Sequence, residues 1–221
     1  RRLPELARRL FGAWPQERPV IAITGTDGKT SVSHQVSSAL AGLGLRCAVI
    51  GTLGAGAPET LAPTGHTTPD VLQLHRLLAE MARDGYHAVA LEASSHALAQ
   101  GRLEGLRPTV AVLTHLGRDH LDYHGSMEAY AEAKSRLFRM PGLGAAVLNA
   151  DDPATAVLGM AVMAYLAVTA YQLCAFSFGT GQKGTTLPVP RGLFFLPVLV
   201  GALLMFSAFL EIFVRACTDR L

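Results

Sequence analysis

A glycine-rich loop followed by lysine and threonine is the part of this sequence whose residue types most clearly indicate chemistry. The stretch "ITGTDGKTS" covers residues 23–31 and follows an apolar run. Backbone N–H groups of such a loop can hold phosphate oxygens, and the N-terminus of the following helix adds partial positive charge. Lys29 is then expected to reach the β- and γ-phosphates of a nucleotide, and Thr30 to ligate Mg²⁺. Since Ile23 stands where the common phosphate-loop pattern has glycine, a plain turn before a helix remains an alternative.

The elements that must position this loop alternate between strands and helices along the chain. Short apolar runs rich in β-branched residues predict buried parallel strands, and apolar residues at helical spacing predict the segments between them as helices. The predicted strands are 18–24, 46–51, 87–94, 108–116 and 144–152; the predicted helices are 29–45, 68–85 and 126–140. This alternation predicts an α/β fold of the P-loop type, with a parallel sheet covered by helices.

Polar clusters follow four of the five predicted strands. They occupy residues 24–30, 92–96, 114–124 and 149–152. Ligands of open parallel sheets gather at the carboxyl ends of the strands. The sequence therefore predicts one site at that edge of the sheet, built from these clusters.

Charge is distributed unevenly along the chain. The net charge of +2 is too small to indicate nucleic acid as a partner, and 30 of the 36 charged residues lie within residues 1–157. No charged residue occurs in 153–182 or in 192–210. Both runs are long enough to span a bilayer, which needs about 20 residues. We expect a two-helix transmembrane hairpin with spans near 157–178 and 192–214; a buried hydrophobic hairpin of a soluble protein is the alternative.

The cysteines and the N-terminus indicate little specific chemistry. Cys47, Cys174 and Cys217 have neither metal-binding nor disulfide spacing, so buried or lipid-facing thiols are expected. The basic start "RRLPELARRLFGAWP" lacks the apolar core of a signal peptide and predicts a short amphipathic helix. The first domain is therefore expected to be cytoplasmic.

Five ordered motifs resemble one known family. "TGTDGKTS", "HTTPD", "LEASSHALAQGR", "GRDHLDYHGSMEAYAEAKSRLF" and "LNADD" stand in the order and spacing of the central ATP-binding domain of the Mur ligase family, MurE branch. The resemblance covers about residues 1–155. It implies an ATP-dependent ligase of peptidoglycan precursor synthesis, which adds an amino acid to UDP-MurNAc-L-Ala-D-Glu. ATP would phosphorylate the substrate carboxylate, and the incoming amine would attack the acyl phosphate.

The resemblance also implies roles for individual residues. Lys29, His120 and Lys134 are the implied catalytic residues. Mg²⁺ would be held by Thr30, Glu92, His120 and a carbamylated Lys134; ATP by Gly25, Thr26, Gly28, Lys29, Thr30, Ser31 and Asn149; and the UDP-muramoyl peptide by Thr67, Thr68, Ser94, Gln100 and Arg102. Taken singly, Glu92 could equally form a strand-end salt bridge, His120 could be structural, and Lys134 could be a solvated helix lysine.

Two positions depart from the family pattern. Asp27 replaces the usual Asn of the loop, and a carboxylate beside phosphates is expected to alter ATP affinity unless it faces away or lies near Mg²⁺. His115 is the middle residue of "THL" at residues 114–116, where the family usually has "TNL". The remaining histidines are expected to be structural or on the surface, including His96 and His124 inside the motifs.

The sequence predicts three parts with different resemblances. Residues 1–17 form a linker-like remnant, residues 18–155 the ATP-binding domain, and residues 156–221 the membrane hairpin. In the stretch "LPVPRGLFFLPVLVGALLM", the tail resembles the small membrane subunit of TRAP transporters. This resemblance implies an inner-membrane location and a large permease subunit as partner. We expect a ligase fragment that is inactive without its N- and C-terminal domains. A transporter subunit, or a composite chain with no joint function, is the alternative.

Overall fold

The computed structural model describes residues 3–149 and, beyond them, only residues 164, 167–169, 171–172, 175 and 200–201. The chain divides into two units, residues 1–149 and residues 150–221. The sheet and its helices belong to the first unit.

Six strands form one sheet, which confirms the predicted parallel architecture. The strands are β1 (Val20–Thr24), β2 (Cys47–Gly51), β3 (Gly54–Gly56), β4 (Ala88–Glu92), β5 (Val110–Leu113) and β6 (Ala145–Leu148). Their order is β3-β2-β4-β1-β5-β6, and every pair is parallel except β2 with β3. The short edge strand β3 was not predicted, because its three residues "GAG" contain nothing that favours a strand.

Helices connect the strands and also precede them. They are α1 (Leu3–Phe11), α2 (Lys29–Gly42), α3 (Val71–Arg83), α4 (Ser95–Ala99), α5 (Leu121–His124) and α6 (Met127–Ser135), with a 3₁₀ turn at Arg136–Arg139. The predicted amphipathic N-terminal helix is α1, which packs against α3. The helices predicted over 29–45, 68–85 and 126–140 are confirmed with shorter bounds. The short helices α4 and α5 lie in segments predicted only as polar clusters.

The buried core strands pair so that their carboxyl ends lie next to one another. Strands β1, β2 and β4 are buried along their whole length, and the face of α2 that carries Val32, Val36 and Leu40 packs against the sheet. Ile23 pairs with Glu92 across β1 and β4, and Thr24 pairs with Leu113 across β1 and β5. The loops that follow β1, β4 and β5 therefore leave the sheet side by side.

Asp70 caps α3, and its loss is expected to destabilise the domain. Its carboxylate accepts the Gln73 N–H at 2.9 Å. Asp70→Ala should lower the free energy of unfolding by about 1 kcal/mol, because an N-terminal N–H of the helix loses its acceptor. Asp84→Ala at the other end of α3 is the matched control, since Asp84 contributes its backbone carbonyl to Arg46. Urea unfolding measures the free energy of unfolding of both variants. An equal decrease in Asp70→Ala and Asp84→Ala would contradict the capping role.

The predicted membrane spans near 157–178 and 192–214 lie outside the described residues, apart from isolated positions. Among the residues that are described, no helix combines the length and the apolar character that a bilayer crossing requires. The hairpin stays a prediction from the sequence.

Candidate active site

Two glycines shape the loop between β1 and α2. Gly25 and Gly28 have φ values of 149° and 79°, a region that residues with side chains rarely adopt. A Cβ atom at Gly25 would also overlap the Thr114 hydroxyl. The Thr26 N–H donates to the carbonyl of His115 at 2.8 Å and ties the loop to the segment after β5. The loop is thus held in a fixed conformation at the N-terminus of α2.

Lys29 begins α2 and folds back over this loop. Its Nζ donates to the carbonyl oxygens of Gly25 and Thr26 at 2.9 and 2.8 Å. Burial lowers the pKa of Lys29, while the carboxylates of Glu92 and Asp27 act in the opposite direction. The amine therefore lies against the backbone that the sequence predicts as the phosphate cradle.

Glu92 ends β4 and is completely buried. Its carboxylate accepts the Thr30 hydroxyl at 3.1 Å, the Thr52 hydroxyl at 3.0 Å and the Thr52 N–H at 3.3 Å. In the described part of the chain, no cationic side chain forms an ion pair with Glu92, so the strand-end salt bridge is not found there. A buried carboxylate held by neutral donors, beside a threonine hydroxyl, suits a hard cation with oxygen ligands. Thr30 and Glu92 therefore fit a Mg²⁺ site.

The residues predicted to bind the muramoyl peptide form one hydrogen-bonded network beside Glu92. The Thr68 hydroxyl donates to the Glu92 carbonyl at 2.7 Å and accepts the Ser94 N–H at 3.0 Å. Arg102 donates to the Thr68 carbonyl at 2.9 Å and to the Gln100 side chain at 2.8 Å. The Ser94 hydroxyl also caps α4, so the network is fixed by secondary structure.

Two further contacts extend this network. The Thr67 and Thr52 hydroxyls lie 3.1 Å apart, which joins the network to the Glu92 carboxylate. The Gln100 amide donates to the Tyr123 hydroxyl at 3.0 Å and joins it to α5. All five predicted peptide-binding residues are therefore contiguous.

Lys134 lies under the glycine-rich loop rather than in solvent. Its side chain is 1% exposed, its Nζ donates to the Gly25 carbonyl at 2.8 Å, and it lies 4.4 Å from the centre of the Tyr130 ring. The Tyr130 hydroxyl lies 3.0 Å from the Thr26 hydroxyl of the same loop. Burial, reinforced by the nearby charge of Lys29, lowers the pKa of Lys134 to about 7. The alternative of a solvated helix lysine is wrong.

His120 belongs to a cluster of rings that sequence reasoning did not predict. It has a left-handed backbone (φ 51°), and its Nε2 lies 3.3 Å from the Asp119 carboxylate. The rings of His96 and His120 lie 4.8 Å apart, and those of His96 and His124 5.5 Å. Burial lowers the pKa of both His96 and His124. Within the described residues, no three His, Cys, Asp or Glu side chains are arranged to hold a metal, so the metal role of His120 stays a prediction.

The remaining nucleotide-side residues lie around the same loop. The Asn149 amide donates to the Thr114 carbonyl at 3.0 Å, and the Thr114 hydroxyl donates to the Asp27 carbonyl. Ser31 and Asp27 are exposed, and exposure lets the Asp27 carboxylate remain hydrated. The predicted ATP residues therefore lie on the loop after β1 and in the first turn of α2. Asn149 is connected to this loop through Thr114.

Thr52 and Tyr130 are the residues of this site that sequence reasoning missed. Thr52 directly follows β2, and the rule that polar residues at strand ends form the site could have found it. Tyr130 stands one helical turn before Lys134, which the sequence placed on a helix. No signal in the sequence shows that this helix face is buried.

The chain is similar in sequence to known proteins. Residues 23–186 match the Mur ligase middle domain, and this match continues past Thr155, over the first predicted membrane span. A ligase of Alkalilimnicola ehrlichii is 54% identical over 152 residues, which cover 69% of this chain and 30% of the relative. A ligase of Coxiella burnetii is 49% identical over 164 residues, 74% of this chain and 33% of the relative.

Both relatives are named UDP-N-acetylmuramoyl-L-alanyl-D-glutamate–2,6-diaminopimelate ligases. A solved structure with that ligase name is 44% identical and has a TM-score of 0.63; the match covers 70% of this chain and 31% of that one. The chain thus spans about a third of the length of the relatives it matches, and the transporter resemblance of the tail gains no support from them. With its family-model match over most of the sequence, the chain belongs to the Mur ligase family.

Proposed function

We propose that this chain supplies the ATP-binding part of an ATP-dependent amide-bond ligase of peptidoglycan precursor synthesis. The observation that carries the proposal is the buried Glu92 carboxylate, placed by β4 against the Thr30 hydroxyl directly behind the glycine-rich loop. A plain turn before a helix would not require a buried carboxylate beside the first helical turn. The named function of relatives 54% and 49% identical agrees with this assignment.

Each side chain of the site has a task in this reaction. The loop N–H groups and the Lys29 ammonium hold and neutralise the ATP phosphates. Thr30 and Glu92 would hold Mg²⁺, which would neutralise phosphate charge. A substrate carboxylate oxygen attacks the γ-phosphorus and ADP leaves. The incoming amine then attacks the carbonyl carbon of the acyl phosphate, phosphate leaves, and the nitrogen releases a proton to solvent as the amide forms. Positioning and charge neutralisation supply most of the rate enhancement.

Lys134 is suited to the carbamylation that the family resemblance implies. With a pKa of about 7, a large fraction of its amine is unprotonated near neutral pH. The free amine nitrogen would attack CO₂ and lose a proton, which leaves a carbamate whose oxygens can ligate a metal. ¹³C NMR with labelled bicarbonate should give a carbamate resonance that disappears in Lys134→Met.

The substrate side of the reaction belongs to the network at Thr67, Thr68, Ser94, Gln100 and Arg102. The Arg102 guanidinium is fixed by two hydrogen bonds and supplies positive charge for an anionic peptide. UDP-MurNAc-L-Ala-D-Glu is the proposed acceptor, and 2,6-diaminopimelate, named in the relatives, is the proposed amino acid. These substrates belong to the ligase as a whole, of which this chain spans about a third.

Isothermal titration of ATP, with and without Mg²⁺, tests the proposal on the full chain. Glu92→Gln should weaken Mg·ATP binding about tenfold, because a charged metal ligand becomes neutral. ATP without Mg²⁺ should bind both proteins equally weakly. Glu80→Gln on the exposed face of α3 is the matched control. Failure of the folded parent chain to bind Mg·ATP would overturn the proposal.

For residues 156–221, the uncharged runs still favour a membrane hairpin, and we propose it as an addition to the ligase part. The full chain is then expected in the membrane fraction after an alkaline carbonate wash. Recovery in the soluble fraction would contradict the hairpin and, with it, the transporter-subunit alternative.

A further inference from the structure

A cleft lies at the amino ends of the parallel strands, whereas the glycine-rich loop follows the carboxyl end of β1. It has a volume of about 320 Å³, and its wall includes Val20, the first residue of β1, and Thr109, which directly precedes β5. Lys29 follows the carboxyl end of β1, so the length of this strand separates the two sites. The volume lies within the range of small-molecule sites, about 300–1,000 Å³.

The charge of this cleft is of one sign. Arg8, Arg18 and Arg107 line it, and none of the described lining residues is an aspartate or glutamate. Arg18 is fixed, since its Nη1 donates to the carbonyls of Ala82 and Tyr86 at 3.1 and 2.8 Å. For Arg8 and Arg107, the described part of the structure contains neither an ion pair nor a side-chain hydrogen bond. Two guanidinium groups are therefore available to an anion.

One wall of the cleft is aromatic and held in place. Trp14 Nε1 donates to the Arg18 carbonyl at 2.9 Å, and the Arg18 guanidinium lies 5.8 Å from the centre of the Trp14 ring. Leu78 and Leu106 also line the cleft but are themselves almost fully buried. The cleft thus combines a fixed aromatic wall with free positive charge.

His75 shows how the charge of Arg8 acts inside the cleft. It is buried, and its Nε2 lies 3.1 Å from the Glu104 carbonyl. Burial lowers the pKa of His75, and the charge of Arg8 lowers it further. The neutral imidazole donates its proton to that carbonyl, so the arginines are left to balance a bound anion.

We propose that this cleft binds a small phosphate ester with a planar ring, at a site separate from the nucleotide loop. Guanidinium groups match phosphate oxygens in charge and geometry. A doubly charged phosphate can balance the charge of two guanidinium groups, whereas a single carboxylate balances only one. The planar body would lie against the Trp14 ring. Relative to the proposed ligase reaction, this site takes part in no step and would hold an additional ligand.

Trp14 makes the proposal directly measurable, because it is the single tryptophan of the chain. Phenyl phosphate is titrated into the full chain, and phenol and inorganic phosphate are the comparison probes. We expect a saturable change in tryptophan fluorescence with phenyl phosphate, weaker binding of inorganic phosphate, and no saturation with phenol. Arg8→Gln and Arg107→Gln should each weaken phenyl phosphate binding about tenfold, the loss typical of one charge-assisted hydrogen bond.

Two control variants separate this cleft from the rest of the chain. Arg9→Gln removes the same charge one position along α1, from a side chain that is 76% exposed and paired with Glu5, and should bind as the parent does. Lys29→Met should leave the fluorescence titration unchanged, because it acts on the nucleotide loop. Absence of saturable binding by the folded parent, or equal weakening in Arg9→Gln and Arg107→Gln, would overturn the proposal. Loss in Lys29→Met alone would assign the signal to the nucleotide loop and also overturn it.

Discussion

Lys29→Met is expected to weaken Mg·ATP binding by about a hundredfold or more, because two hydrogen bonds to charged phosphate oxygens are lost at roughly 1.5–3 kcal/mol each. The Lys29 amine already lies within 2.9 Å of two loop carbonyls. When phosphate enters the loop, its oxygens can replace those carbonyls as acceptors. Methionine keeps the length and the apolar stem of the side chain and removes only the charge.

The control for Lys29→Met must remove one positive charge without touching the loop. Arg9→Met does so on the exposed surface of α1 and should bind Mg·ATP within about twofold of the parent, as surface charges act weakly at long range. Lys29→Arg should give an intermediate affinity, because it keeps the charge but enlarges the group. Isothermal titration measures all four proteins. Binding by Lys29→Met within about threefold of the parent, close to RT in free energy, would exclude the phosphate role.

The sheet could be predicted because every strand except the three-residue β3 is an apolar run bounded by polar residues. "VIAIT" of β1 and "AVALE" of β4 have this form, and their parallel pairing follows from the helices between them. The rule that polar residues gather at the carboxyl ends then predicts that Thr30 and Glu92 meet, and the 3.1 Å contact confirms it. The three residues of β3 carry no such signal, since their pairing comes from the tight turn after β2.

The environment of Lys134 could not be predicted from spacing. Tyr130, Ala133 and Lys134 share the buried face of α6, and a lysine on such a face contradicts the usual polar pattern. Only the fold shows why Lys134 is tolerated there: its amine donates a hydrogen bond to the Gly25 carbonyl and lies over the Tyr130 ring. The three histidines of the ring cluster are likewise brought together by α4 and α5, two helices too short to be predicted from periodicity.

The buried amine of Lys134 has a measurable consequence for stability. Its pKa is about 7 in the folded protein and 10.5 when the side chain is free. Between these values the unfolded chain binds more protons than the folded one, so the free energy of unfolding rises with pH. From pH 7 to pH 9 the predicted rise is about 2 kcal/mol. Below about pH 7 both states are protonated, and the full cost of burying the charge is present.

Urea unfolding followed by Trp14 fluorescence measures this rise, because Trp14 reports on the first unit alone. Buffers free of CO₂ and Mg²⁺ keep the Lys134 amine unmodified. The pH range of the measurement must end near pH 9. Burial raises the pKa of the Cys47 thiol from 9.0 to about 11. Between these two values the free energy of unfolding falls as pH rises, because the unfolded chain has lost the thiol proton that the folded chain keeps. Lys134→Met should remove most of the rise, whereas Lys29→Met should retain most of it, because the Lys29 amine is less buried than that of Lys134. An unchanged slope in Lys134→Met would mean that its amine is charged in the folded protein at neutral pH, and carbamylation would then lack the free amine it needs.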